Sequence, residues 1–314
     1  VKALRTAAPA MGFALLALVP LVARFGPEAY VLNLASRALV FALAALSLEF
    51  TLGHGGLVSF GQAAYVGIGA YAVLILTRWG CDEMLIQAGA AIVAAAVFAA
   101  LTSAISLRAK GIYYVMSTLA FGQMLYFFFV SLSALGGDDG VTLDARASFA
   151  GTQWLAGDRA FYYATLAALA LGYLLLDRIV GSRFGRVLGA IRQNPLRVRS
   201  LGFEPFGFQL AACVISGGVC AVAGVLLANQ NEFVSPAFMS WQRSGDLIVM
   251  TVLGGVGSLG GAILGAVAYL LISELMSSFT EHTGLILGPL LVLVALWGRG
   301  GLAGLLARLG GGSA

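Results

Sequence analysis

Charge is what this chain has least of. Asp, Glu, Lys and Arg make up 10% of its 314 residues, 60% are apolar, and mean hydropathy is +0.94. A soluble domain of this size carries roughly a quarter charged residues, so the composition excludes a water-soluble fold and points to an integral membrane protein. Lysine is almost absent: Lys2 and Lys110 stand alone, and neither follows a glycine. The phosphate-cradling loop needs a glycine-rich turn ending in Gly-Lys-Ser/Thr. If ATP drives this protein, a separate subunit must bind it. The three cysteines show no metal-ligand spacing. Cys213 and Cys220, on one apolar run, fall on one helix face as small packing residues. HExxH, Cys/His clusters and the GxSxG elbow are all missing, so neither an enzyme, a metal site nor a resident cofactor is expected.

What is abundant is apolar sequence and glycine, 42 residues against 7 prolines. Glycine lets transmembrane backbones approach closely. A bilayer core needs ~20 apolar residues of helix. Candidate runs lie at about 8–23, 29–51, 57–77, 85–106, 112–135, 161–179, 207–228, 244–256, 260–278 and 285–298. Two or three are too short to cross alone. The expected fold is therefore all-α and polytopic, one transmembrane domain over residues 1–314 with eight to ten transmembrane helices, some interrupted. The run at 10–23 behind Lys2 and Arg5 reads as a first helix and not as a cleaved leader, because many spans follow.

Basic loops set the orientation. Arg178, Arg183, Arg186, Arg192, Arg197 and Arg199 concentrate six of the 18 basic residues in one stretch, which is expected to be cytoplasmic. Counting outward with ten spans puts Lys2, Arg5, Arg108, Lys110, Arg299 and Arg308 on that side. Glu28, Asp82, Glu83, Asp138, Asp139 and Asp144 fall on the other, and both termini are expected inside.

Two nine-residue segments echo each other: GGLVSFGQA at 55–63 and GGVGSLGGA at 254–262, both fitting G-G-x-x-S-x-G-x-A. Each interrupts an apolar run. Short, glycine-interrupted segments in corresponding positions point to a translocation path, because a broken helix bares backbone groups at membrane depth. Gly55, Gly56, Ser59, Gln62, Gly254, Gly255 and Ser258 are the candidates; the same glycines are also compatible with nothing more than tight helix crossings. Ser59 and Gln62, three apart, are expected on one helix face. Gly67 and Gly69 read as crossing points. Arg37, Glu49, His54, Asp246 and Glu274 are ionisable residues in or near spans, with Glu49 and His54 expected close to water at a span end.

The stretch GSRFGRVLGAIRQNPLRVRSLGFEP, 181–205, is too long for a tight turn. It predicts a short amphipathic helix with Val187, Leu188, Ala190 and Ile191 on one patch beside Arg186 and Arg192, ended by Pro195. Such a helix rests on anionic headgroups or docks in a groove of a cytoplasmic partner.

Five blocks, GHGGLVSFGQAAYVGIGAYA, AKGIYYVMSTLAFGQ (109–123), LGGDDGV (135–141), GRVLGAIRQNP followed by SLGF (185–203), and VSPAFMSWQRSGDLIVMTVLGGVGSLGGAILGA (234–266), together resemble the LivM-type branched-chain amino acid permeases. That wider family includes permeases for urea and short amides. The resemblance implies the larger, many-helix class of ABC importer membrane domain in a bacterial inner membrane, working by ATP-driven alternating access. It implies two cytoplasmic ATPase subunits carrying ATP and Mg, a second, similar permease subunit and a periplasmic solute-binding protein; lipid is a further contact and no nucleic acid is expected. Segment 181–205 matches the family's coupling loop, with Arg183, Arg186, Ala190, Arg192, Asn194, Arg197 and Arg199 as coupling candidates. Asp138 and Asp139 are candidate contacts for the binding protein. Gln123 joins the path candidates; it and Leu135 depart from the family pattern, as do Arg197 and Arg199 after Pro195. The rival expectation is a secondary transporter or facilitator for a small polar solute needing no ATPase.

Overall fold

The computed structural model describes residues 28–143, 145–148 and 157–277, together with 12, 13, 15–21, 288, 301, 302 and 304. Ten helices follow one another in the main stretches: α1 Glu28–Glu49, α2 Gln62–Arg78, α3 Met84–Ser106, α4 Ile112–Ser131, α5 Asp158–Gly181, α6 Arg183–Gln193, α7 Pro195–Ser200, α8 Pro205–Asn231, α9 Trp241–Gly254 and α10 Leu259–Ser277. Strands β1 (Val141–Thr142) and β2 (Phe233–Val234) pair antiparallel, Val141 opposite Val234. Among the described residues six helices are long and apolar enough to cross a membrane: α1 with the π turn that continues it to His54, α3, α4, α5, α8 and α10. The chain is a multi-pass, all-α membrane protein. Helix α2, with 17 residues, and α9, with 14, are shorter. Of the outermost expected spans, 8–23 is described only at residues 12, 13 and 15–21, which are helical, and 285–298 lies outside the described residues except for 288.

Helices α1 and α8 form the centre, and their residues are mostly buried. Close approach comes from small residues. Along α3, Gln87, Ala91, Ala95, Ala99 and Ser103 recur every fourth position, so they make one buried stripe, which packs on α8 where Gly217 and Gly218 lie. A Cβ on Gly224 of α8 would fall 1.9 Å from the Val66 carbonyl oxygen, and one on Gly69 would fall 2.1 Å from that of Ala221. Helices α2 and α8 thus touch backbone to backbone, as the crossing role of Gly69 required.

The bundle has two distinct ends. At one, Arg159 pairs with Glu28, Tyr30 donates to Glu274, and Arg146 bridges Asp158 and Glu232 at 2.8 and 3.1 Å. At the other lie α6, α7, the π turn Phe50–His54 and the 255–258 loop. This second, basic end carries the arginine-rich stretch. Its α6 is amphipathic as expected, but the buried patch is Gly185, Leu188 and Ile191, with Ala190 exposed. Pro195 does more than stop α6: it opens α7 at the first helical position, where Asn194 Oδ1 caps by accepting from the Arg197 N–H at 3.0 Å.

Candidate translocation site

Helix α1 does not end cleanly. It passes into the π turn, and Gly56 then takes φ +69°, a conformation suited to glycine. The chain runs without helix to Gly61, and α2 starts at Gln62. That start is level with the middle of α4, because the Phe60 N–H donates to Thr118 Oγ1 at 3.2 Å and Gly61 lies against Gly122. A helix start away from water needs partners for its free N–H groups. Hydroxyls supply them: Gly61 N–H donates to Ser59 Oγ at 3.2 Å and Ala63 N–H to Ser244 Oγ of α9 at 3.0 Å.

Gln62 is buried and pins this start. Its Nε2 donates to Ser47 Oγ at 2.8 Å and Ser216 Oγ at 3.0 Å; Ser216 Oγ donates to the Ser47 carbonyl at 2.6 Å, and Ser47 Oγ to that of Ala44 at 2.7 Å. Every hydroxyl in this set has both a donor and an acceptor partner. Around it opens a small polar chamber. The π turn contributes Thr51; the break and α2 contribute Ser59, Gly61, Gln62 and Tyr65. Helix α3 adds Phe98, Thr102 and Ser103, α4 adds Tyr114, Thr118, Phe121 and Gly122, and α8 adds Cys213 and Ser216. Among the described residues the lining offers hydroxyls, an amide, a thiol and aromatic rings, and no charged side chain. It can exchange hydrogen bonds with a small polar solute without trapping it by charge.

Of the expected path residues, Ser59 and Gln62 line this chamber, although not from one helix face: Ser59 lies in the break, three residues before α2 begins. Gly55 and Gly56 lie at the start of the break, Gly56 against Arg192. Gln123 is on α4 beside the chamber-lining Gly122 and does not itself line the chamber. Gly254, Gly255 and Ser258 lie elsewhere, at the basic end: Gly254 closes α9, and Gly255 and Ser258 lie in the tight turn from α9 to α10. Thr51, Tyr65, Thr102, Ser103, Tyr114, Thr118 and Ser216 were not singled out from sequence, since single hydroxyls on alanine-rich helices carry no local signal of convergence.

The basic end joins the same break to α6. Arg192 Nη1 donates to the Gly53 carbonyl, while the aliphatic part of Arg192 covers Gly56. Glu49 Oε1 accepts from the Gly257 N–H. Glu49 is fully buried, contrary to the expectation of nearby water, and a Cβ on Gly53 would lie 1.8 Å from that Oε1. One residue of α6, the π turn and the 255–258 loop therefore form a continuous set of contacts. Arg183, Arg186, Arg197 and Arg199 are exposed, Arg199 paired with Glu204 at 3.0 Å. Asp138 and Asp139 are exposed next to β1 at the opposite end.

A multi-pass helical bundle broken around an uncharged polar chamber has the form of a membrane permease. The family profile described as branched-chain amino acid transport system / permease component matches residues 30–295, and the chain belongs to that family. It is 28% identical over 299 residues to the high-affinity branched-chain amino acid transport system permease protein LivM of Salmonella typhimurium, covering 86% of this chain and 69% of the relative. It is 24% identical over 284 residues to the probable LivM of Methanocaldococcus jannaschii, covering 79% and 82%, and 25% identical over 279 residues to LivH of Salmonella typhimurium, covering 82% and 88%. No solved structure matches.

Proposed function

We propose that the chain is a membrane-spanning permease subunit of a bacterial ABC importer, moving branched-chain amino acids or related small polar solutes by ATP-driven alternating access. The observation that carries this reading is the start of α2 inside the bundle, held by Gln62, Ser59 and Ser244 beside an uncharged chamber. Broken helices with backbone groups facing a cavity are the form that transport sites take in membranes. The names LivM and LivH, borne by relatives of two kinds that both match this chain, support a second, similar permease subunit as partner. Two ATPase subunits holding ATP and Mg, and a periplasmic binding protein, complete the assembly. The whole chain acts as one permease domain, with 181–205 as its coupling segment.

The excess of arginine at the α6–α7 end favours the cytoplasm, in an inner membrane with both termini on that side. Arg183, Arg186 and Arg197 are then free to meet an acidic ATPase groove. Arg192 acts differently, since displacement of α6 would pull on the Gly53 carbonyl, and through Glu49 and Gly257 would reach the second loop as well. Asp138 and Asp139, at the other end, are offered to the binding protein.

Affinity purification of the tagged chain from native membranes tests the reading. ATPase subunits and a second permease are expected with it, and Arg183→Glu combined with Arg186→Glu should lower ATPase recovery at least fivefold with the chain still inserted. Recovery of the chain alone, moving solute into liposomes without ATP, would establish a facilitator instead.

A further inference from the structure

Glu49, the last residue of α1, is the one charged residue fully buried among the described residues. Its two oxygens are unequally served. Oε1 accepts from the Gly257 N–H, whereas Oε2 is buried and has no hydrogen-bond partner. The Ser258 backbone faces the same carboxyl from the 255–258 loop. A buried acid oxygen without a donor is costly, and such an orphan calls for a partner supplied in another arrangement of the chain. Glu49 also leads straight into the π turn Phe50–His54, a helical form that recurs at functional sites.

A donor is close at hand, and Gly53 is where the two meet. A Cβ on Gly53 would lie 1.8 Å from Glu49 Oε1 and 2.9 Å from the Gly257 nitrogen, and the Gly53 carbonyl accepts from Arg192 Nη1. The Arg192 guanidinium has several further N–H donors. Among the described residues it makes this one hydrogen bond and no ion pair, and the residue is otherwise exposed. Arg192 is the charge that acts on the Glu49 carboxyl. His54, the neighbouring ionisable group, lies against the Glu49 backbone and not against its carboxyl.

We propose that Glu49 is a positioning residue of the transport cycle: displacement of α6 carries the Arg192 guanidinium from the Gly53 carbonyl to the Glu49 carboxylate, which then releases the Gly257 N–H. The inference rests on the ABC permease reading and names a switch within it. A guanidinium fork meets both oxygens of a carboxylate at once, so Oε2 gains its donor. The exchange takes place where a charge without its partner is heavily penalised, which favours two definite arrangements. Its effect reaches the chamber. The 255–258 loop follows α9 directly, and the first turn of α9 carries Ser244, whose Oγ accepts from the Ala63 N–H at 3.0 Å. Freeing Gly257 thus loosens one end of a 14-residue helix whose other end steadies the start of α2 beside Gln62.

Uptake per ATP hydrolysed, measured on the assembled importer in liposomes, tests this by a double-mutant cycle. Glu49→Gln keeps the shape and the acceptor for Gly257 but removes the charge, and Arg192→Gln removes the fork. Each should lower uptake per ATP about tenfold, and the double variant should lose no more than either alone, because both break one pair. Arg192→Lys, which keeps the charge, should retain about half or more. Losses that multiply, or unchanged uptake per ATP in either glutamine variant, would overturn the proposal. Should Glu49→Gln fail to insert, the two variants at the exposed Arg192 decide, and equal uptake per ATP in both overturns the exchange. A wild-type chain that recruits no ATPase subunits fails the importer reading itself, a separate outcome that takes the exchange with it.

Discussion

Residues 55–63 and 254–262 share five positions of one pattern, yet they build different things. In the first, Leu57 is buried among Leu107, Tyr114 and Cys213. That contact draws the backbone along the inside of the bundle, and the helix cannot begin until Gln62. In the second, Val256 at the matching position is exposed, and Gly257, with φ +99°, replaces Val58. The chain turns at once, and α10 begins at Leu259, two positions earlier in the pattern. The shared serine shows the same divergence. Ser258 caps α10, accepting from the Gly261 N–H three residues on at 3.1 Å, whereas Ser59 accepts from Gly61 N–H only two residues on, before any helix exists. A glycine-serine pattern thus licenses a break; the apolar residue between decides whether that break is a turn or an opening.

The largest effect is expected where the helices flanking the second segment, α9 and α10, meet most closely. A Cβ on Gly265 would lie 2.0 Å from the Met250 carbonyl oxygen and one on Gly254 2.0 Å from that of Gly261, so α9 and α10 meet at their backbones. Gly265→Ala should cost about 2–3 kcal/mol, seen as a lower thermal midpoint of the purified chain, because backbone cannot yield as a rotamer can. Gly56→Ala in the first segment meets only the Cγ of Arg192 and a positive φ, at about 1–2 kcal/mol. Equal losses would mean that the two segments are packed alike.

Gln62 and Gly261 occupy the same position of the pattern, and here the difference is chemical. Gln62→Leu keeps the volume but removes the donor shared by Ser47 and Ser216. Each hydroxyl keeps its own acceptor, so the stability loss should be modest, about 1–2 kcal/mol. Uptake by the assembled importer should fall at least tenfold. A variant with normal uptake would make Gln62 a structural strut and remove the chamber from the pathway.

How much of this could be read in advance follows from the range of each cause. The spans were legible because twenty apolar residues suffice to define one, and Gly56 marked its break locally. The chamber was not, because Thr102, Tyr114, Thr118 and Ser216 come from three helices and meet only through the α2–α8 and α3–α8 crossings. Arg192 falls with Arg186 in sequence for a similar reason. Both sit in one basic stretch, and only the rotation of α6, fixed by burial of Gly185, Leu188 and Ile191, turns Arg192 toward Gly53.

The smallest effect should be the most discriminating. Ser258→Ala removes a helix cap, worth about 1 kcal/mol of stability, and with no lining role it should leave uptake unchanged within twofold. Ser59→Ala removes a weaker two-residue bond and should cost less stability, about 0.5 kcal/mol. Because Ser59 Oγ lies on the chamber wall and orients the Gly61 N–H, its loss should still lower uptake three- to fivefold. The two serines, identical in pattern, would then separate on opposite axes, one moving the melting curve and the other the transport rate. Should both move only the melting curve, the first break is a fold device like the second, and the α2 start has no part in passing the solute.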